Sequence, residues 1–289
     1  MDLSINATKK LSNGVEIPYL GFGVFLVNDP KECEQSVLAA IKNGYRSIDT
    51  ATRYENEEFV GNAIKAAGVP REELFITTKV WVTDFGYEET KKAFRESLRK
   101  LQLDYLDLYL IHWAAPGFEE TWRALEDLYE EGLVRAIGVC NFQIHHFEKL
   151  AETAKITPML NQVETHPLFQ QVELRNYLAQ HDIAHEAWAP LGQGKNGLFD
   201  SPALAEIAKK HNKTVAQVIL RWHLDRDTII IPKSVHEQRI IENADLFDFA
   251  LDADDIKTIT SLDTNQRSFG NPDDSERFKA MQEAAKSNS

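Results

Sequence analysis

SIDTATRYENEEFVG, running from Ser47 to Gly61, starts as a short apolar run and ends among acids. Asp49 closes the run, Tyr54 follows five residues later, and Glu55, Glu57 and Glu58 come next. Taken alone, the stretch reads as a strand turning into a helix. Asp49 then caps a turn, and the glutamates sit where a helix N-terminus favours negative charge. It also reads as a strand that delivers a carboxylate and a phenol to a site at its end. The choice depends on whether this strand belongs to a set.

Short apolar runs recur at Leu20–Val24, Arg46–Asp49, Leu74–Val80, Leu106–His112, Val134–Cys140, Met159–Glu164, His185–Pro190 and Thr228–Pro232. Most are continuous rather than alternating, as in strands buried on both faces of a parallel sheet. Helical spacing fills the gaps. Phe94, Leu98 and Leu101 recur in YEETKKAFRESLRKL, and Phe118, Trp122, Leu125 and Tyr129 recur before the stop at Gly132. Further helices are expected over Glu32–Asn43, Glu57–Ala67, Ile144–Ala154, Val172–Gln180, Pro202–His211, Val215–Leu224, His236–Ala244 and 252–261. Eight strand–helix units in this length point to an α/β fold, a (β/α)8 TIM barrel, with a doubly wound open sheet as the second choice. Asn13-Gly14 in LSNGVEI adds an N-terminal β-hairpin. No linker or composition break appears, so 1–289 is expected to be one domain.

Composition narrows the partners. A formal net charge of −13 disfavours nucleic acid and anionic membrane surfaces. Cys33 and Cys140 make no disulfide framework, which suits a reducing cytoplasm. MDLSINATKKL has no apolar core of signal-peptide length, and no apolar run is long enough to span a bilayer. No large apolar surface stripe stands out, so a monomer is expected.

In a barrel the site lies at the C-terminal strand ends and the loops after them. The second strand then supplies Asp49 and Tyr54, the third Lys79 and Trp81, the fourth His112 and Trp113. The fifth supplies Cys140 and Asn141, the sixth Asn161, Gln162 and Glu164, the seventh Trp188, the eighth Lys233 and Ser234. Singly, each is more often a solvated charge or a structural residue. Jointly, Asp49, Tyr54, Lys79 and His112 make a coherent acid system. A free tyrosine, with a pKa of about 10, donates a proton poorly near neutrality, and a nearby ammonium lowers that value. Lys79 between Tyr54 and Asp49 fits that task. His112 can donate a hydrogen bond that orients a substrate oxygen. Nothing in the chain supplies a hydride, so a reduction needs a cofactor.

DTATRYENE, ITTKVW, LIHW, GVCNF, NQVE, PLGQG, IPKS and RIIEN occur in an order and spacing that resemble the aldo-keto reductases. LRWHL, APLGQGK and FDFALDADDI extend the likeness to the bacterial 2,5-diketo-gluconate reductase-like branch. The resemblance implies NADPH bound on a barrel and a tetrad of Asp49, Tyr54, Lys79 and His112, with Tyr54 as general acid. It implies that Asn141 and Gln162 hold the nicotinamide carboxamide and that Trp188 stacks on the ring. Lys233, Ser234, Val235 and Arg239 would meet the 2′-phosphate end, and Glu242 and Asn243 the adenine. The expected activity is reduction of small aldehydes, ketones, keto-sugars or diketones. A non-catalytic NADPH-binding sensor or interaction subunit, and a phosphosugar lyase or isomerase, are the alternatives.

Gly192-Gln193-Gly194-Lys195-Asn196-Gly197 matches G-x-G-x-x-G, but it comes late and lacks the acid about 20 residues on that a Rossmann unit needs. It is expected to be a loop near the cofactor, with Leu191, Gly192 and Gln193 on the pyrophosphate side. Cys140 stands where the family usually has serine, Trp188 where tyrosine or phenylalanine is common, and Ala114 where proline is usual. Phe22, Val24, Phe25, Trp81, His112 and Trp113 are expected to wall the substrate site. No metal is expected, since H-E-x-x-H is absent and His145 and His146, being adjacent, should not share a helix face. The polar tail from Arg267 onward is short for the family that the chain resembles, which suggests an open mouth.

Overall fold

A computed structural model describes residues 4–287. Strands β3 (Gly21–Gly23), β4 (Ser47–Asp49), β5 (Phe75–Val80), β6 (Leu106–Ile111), β7 (Val134–Cys140), β8 (Leu160–Glu164), β9 (Ala184–Trp188) and β10 (Ile229–Ile230) pair in parallel in chain order. A parallel bridge from Leu20 to Ile230 closes the ring, with Ile230 N–H donating to Tyr19 O at 2.9 Å and Gly23 N–H to Pro232 O at 3.2 Å. The closed (β/α)8 barrel expected from the sequence is present. Nearly every strand residue is buried, which is why the runs read as continuous.

The remaining pair, β1 (Thr8–Lys10) and β2 (Glu16–Pro18), forms the N-terminal hairpin, with Gly14 at φ +89° in its turn. Asn13 donates to Arg135 O at 2.9 Å, and Lys9 and Tyr19 both bind Asp227. These partners precede or begin β7 and β10, so the hairpin covers the end of the barrel opposite the strand C-termini.

Helices α1 (Pro30–Lys42), α2 (Glu57–Ala67), α3 (Tyr87–Leu101), α4 (Phe118–Glu130), α5 (Ile144–Ala151) and α6 (Val172–Gln180) follow strands β3 to β8. Two helices, α7 (Pro202–His211) and α8 (Val215–Asp225), separate β9 from β10, and α9 (Glu237–Ala244) and α10 (Ala253–Thr260) come after. The ring of helices packs through close approaches. A Cβ on Gly61 in α2 would lie 2.6 Å from the backbone oxygen of Leu101 at the end of α3. Backbone cannot swing away as a side chain can. Gly61→Ala is therefore expected to destabilise the fold by roughly 1–3 kcal/mol, read as a lowered urea midpoint at constant slope. A midpoint equal to that of the native chain would show that the two helices separate at no cost.

The tail forms one more helix than the sequence reading expected, α11 (Ser275–Ser287). Phe278 is buried against Val82 and Ala115, with its ring 5.5 Å from that of Trp113. Gln282 donates to the carbonyls of Val82 and Pro116 at 3.1 and 3.0 Å. Phe269 packs on Trp188 at 5.2 Å, and Gly270 lies against the Trp113 indole. The tail thus packs on two walls of the mouth, at Trp113 and at Trp188.

Candidate active site

The opening stretch is a strand-to-helix turn that places a carboxylate and a phenol at the C-terminal end of β4. After Asp49 a single 3-10 turn, Thr52–Tyr54, carries the phenol, and Thr52 Oγ1 donates to Lys79 O at 2.9 Å. Asn56 is fully buried. Its amide donates to Val24 O and Val27 O at 3.0 and 3.1 Å and accepts from Thr50 Oγ1 at 2.7 Å. That side chain ties the loop after β3 to the loop after β4, which sets the Phe25 ring 5.0 Å from that of Tyr54. Glu57 is no solvated helix-start charge. It is buried, bonds Thr78 Oγ1 at 2.6 Å, and burial raises its pKa.

Lys79 is fully enclosed. Its ammonium reaches Asp49 Oδ1 at 2.6 Å, Thr50 O at 2.8 Å and Tyr54 Oη at 3.4 Å. An ammonium has three hydrogens, and each has an acceptor. Burial opposes the charge, but Asp49 and Tyr54 outweigh it and hold the lysine above its ordinary pKa. The effect on Tyr54 differs from the sequence expectation. Burial pushes the phenol up to about 12, and the counter-pull of Lys79 is too weak to bring it below the free value. Tyr54 therefore carries its proton throughout the physiological range.

His112 lies edge-on to Tyr54, ring centroids 5.6 Å apart, and edge-on to Trp81 at 5.1 Å. Burial, with help from Lys79 and Arg53, lowers its pKa well below the ordinary value, so the ring is neutral. A neutral imidazole protonated on one nitrogen can still donate there. Asp49, Tyr54, Lys79 and His112 thus come together at the strand ends as expected.

Asn141 adopts φ +61°, a left-handed conformation that asparagine tolerates. It donates to His112 O at 3.0 Å and accepts from Trp188 Nε1 at 2.9 Å, so it fastens the fourth and seventh barrel strands to the fifth and leaves one amide hydrogen unspent. Gln162 uses Nε2 for Asp49 Oδ2 at 2.8 Å and for Glu186 Oε2 at 2.9 Å, and neither bond takes Oε1. Cys140 is buried beside them, its thiol pKa raised well above the ordinary value by burial.

Beyond β10, Ser234 is buried and accepts from His236 N–H at 3.1 Å, Val235 is half-buried, and Lys233 and Arg239 are exposed. Neither cation has an ion-pair partner among the described residues. Asn243 is buried, and Glu242 accepts from Thr214 Oγ1 at 2.8 Å. In the loop after β9, Leu191 is half-buried, Gly192 buried and Gln193 exposed at φ +52°. This donor set fits NADPH: unspent amide groups beside a half-exposed indole, and two unpaired cations in an acidic protein.

Two sequence expectations change. Phe22 and Val24 are fully buried core residues, Phe22 lying against Tyr45, so the described wall comprises Phe25, Trp81, His112 and Trp113. His145 and His146, adjacent though they are, converge. Their Nε2 atoms lie 3.0 and 3.5 Å from Asp273 Oδ1, making a cluster of metal-ligating groups. His146 Nδ1 accepts from Gln143 N–H at 3.0 Å, which leaves the proton of the neutral ring on Nε2. That nitrogen faces Asp273 Oδ1 at 3.5 Å, too far for a good hydrogen bond, and the cluster brings the tail against the start of α5.

Reading strand ends missed Glu186 and Asn56. A charge in mid-strand in HEAW, and an asparagine just before a helix, were the available signals.

The Aldo/keto reductase family model matches residues 20–264. The chain is 58% identical over 277 residues to the glyoxal reductase of Bacillus subtilis, covering 95% of this chain and 99% of that one. It is 49% identical over 267 residues to the methylglyoxal reductase DkgA of Salmonella typhimurium, covering 91% and 96%. Among solved structures, a mutant of Gox0644 in complex with NADPH superposes with a TM-score of 0.88 at 41% identity, covering 93% of this chain and 98% of that one. The chain belongs to the aldo/keto reductase family and is an NADP-dependent oxidoreductase that acts on small carbonyl compounds.

Proposed function

We propose that this chain, acting as one domain and as a monomer in the cytoplasm, reduces α-dicarbonyls of the glyoxal and methylglyoxal type, with Tyr54 as the acid. The observation that carries the reading is the buried Asp49–Lys79–Tyr54 chain with neutral His112 beside it. The relatives named for glyoxal and methylglyoxal support the substrate class, and the aromatic wall of Phe25, Trp81 and Trp113 suits flat carbonyl groups. NADPH, when bound, supplies the hydride.

Asn141 and Gln162 hold the carboxamide through the spare amide hydrogen and Oε1, and Trp188 offers its indole face. His112 donates to the substrate oxygen and fixes the carbonyl. As negative charge grows on that oxygen, Tyr54 Oη gives up its proton. Lys79 stabilises the phenolate left behind, and Asp49 keeps Lys79 charged. The high Tyr54 pKa secures the protonated starting state. The developing alkoxide is a far stronger base than phenolate, so the transfer still runs downhill.

Lys233 and Arg239 take the 2′-phosphate. Replacing both by alanine is expected to raise the Kd for NADPH by roughly 30–1000-fold, at about 1–2 kcal/mol per lost charge-assisted contact, while binding of NADH barely changes. Fluorescence titration of both nucleotides checks this. Equal weakening toward both would move the phosphate site elsewhere. Turnover of methylglyoxal with NADPH tests the substrate class, and a preference for bulky ketones over every α-dicarbonyl would displace it.

A further inference from the structure

Two buried carboxyl groups, Asp49 and Glu186, share one amide next to the Lys79 ammonium. Gln162, on β8, gives one amide hydrogen to Asp49 Oδ2 and the other to Glu186 Oε2, at 2.8 and 2.9 Å. Both acids are almost wholly buried. The groups acting on Glu186 from the neighbouring strands are Asp49 on β4, Lys79 on β5 and Gln162 on β8, and Cys140 on β7 feels its charge. Lys79 donates to Asp49 and not to Glu186. A second bare carboxylate on the same amide would have no cation of its own, and desolvation makes such a charge costly.

We propose that Glu186 is a positioning residue for the reduction: kept protonated, it leaves the Lys79 ammonium to Asp49 and Tyr54, and it fixes the Gln162 amide with Oε1 free. The proposal rests on the reading of Asp49, Lys79 and Tyr54 as the acid system. Burial, then the neighbouring Asp49, pushes the Glu186 carboxyl up to about 8, consistent with a proton retained at neutral pH. Loss of that proton puts a second negative charge beside the tetrad. Lys79 is then shared between two anions, and Tyr54 releases its proton less readily. Reduction slows as Glu186 ionises, well below the pH at which Tyr54 itself would do so.

The test is kcat for methylglyoxal at saturating NADPH from about pH 6 to about pH 9, in the native chain, Glu186→Gln and Glu186→Ala. If only the protonated state turns over, native kcat falls roughly tenfold between about pH 7 and about pH 9. Glu186→Gln has the same shape and no proton to lose, so its profile stays level over that interval. Glu186→Ala removes an anchor of Gln162 and raises the Kd for NADPH by roughly tenfold. Native and Glu186→Gln profiles that superimpose overturn the proposal, as does unchanged NADPH affinity in Glu186→Ala. Tyr54→Phe is assayed alongside. Retained turnover there removes the acid system itself, whereas superimposed profiles with an inactive Tyr54→Phe remove only the role of Glu186.

Discussion

Lys79→Met loses both turnover and a large part of the stability of the fold. The lysine and Asp49 are essentially shut off from solvent, with side-chain exposures of 0% and 3%. Desolvating such a pair is costly, and the pair alone adds little net stability. Removing one partner is different, because the other charge stays buried without compensation, at about 3–5 kcal/mol. Methionine fills the stem volume but satisfies neither Asp49 Oδ1 nor Thr50 O. The folded lysine binds its proton more tightly than a free one, so its stabilisation is present below the unfolded pKa and is lost only as pH rises through the higher folded value. The defect is therefore expected across the whole physiological range. Urea unfolding measures it, and a variant within about 1 kcal/mol of native would contradict the claim that losing Lys79 leaves a buried charge uncompensated.

Tyr54→Phe separates chemistry from architecture. The ring contacts with Phe25 and His112, at 5.0 and 5.6 Å, survive in phenylalanine. The one direct hydrogen bond lost, from Lys79 Nζ, is long at 3.4 Å, and Asp49 and Thr50 still hold the ammonium. Stability and cofactor affinity are expected to change little. What disappears is the only hydroxyl that Lys79 reaches among the described residues. General acid catalysis contributes about 10²–10⁴ in rate, and kcat is expected to fall by that factor.

The barrel was legible because its strands are buried on both faces and so read as continuous apolar runs. The same reading put Asp49, Lys79, His112, Asn141 and Gln162 at the strand ends, and the structure has them there. What it could not give is depth. That the half-buried Tyr54 becomes a weaker acid rather than a stronger one follows from its desolvation outweighing the pull of Lys79, and spacing does not encode desolvation. Phe22 and Phe25 are near neighbours in sequence, yet one is core and the other stays 44% exposed. The meeting of His145 and His146 with Asp273 depends on where the tail returns to the barrel, a contact between distant parts of the chain. Glu186 lies two residues before the end of its strand, outside the set that a strand-end rule selects. A glutamate in the middle of a buried strand is itself a signal, since such a charge needs a partner or a proton.

The most direct test of the tyrosine-acid account is NADPH consumption with methylglyoxal by the native chain and Tyr54→Phe side by side, with NADPH affinity measured on both. With Tyr54 as the acid, the native chain turns over steadily, the variant loses about 10²–10⁴ in rate, and the two affinities match. A variant that binds NADPH and reduces the substrate at the native rate would contradict it and assign the proton to another donor.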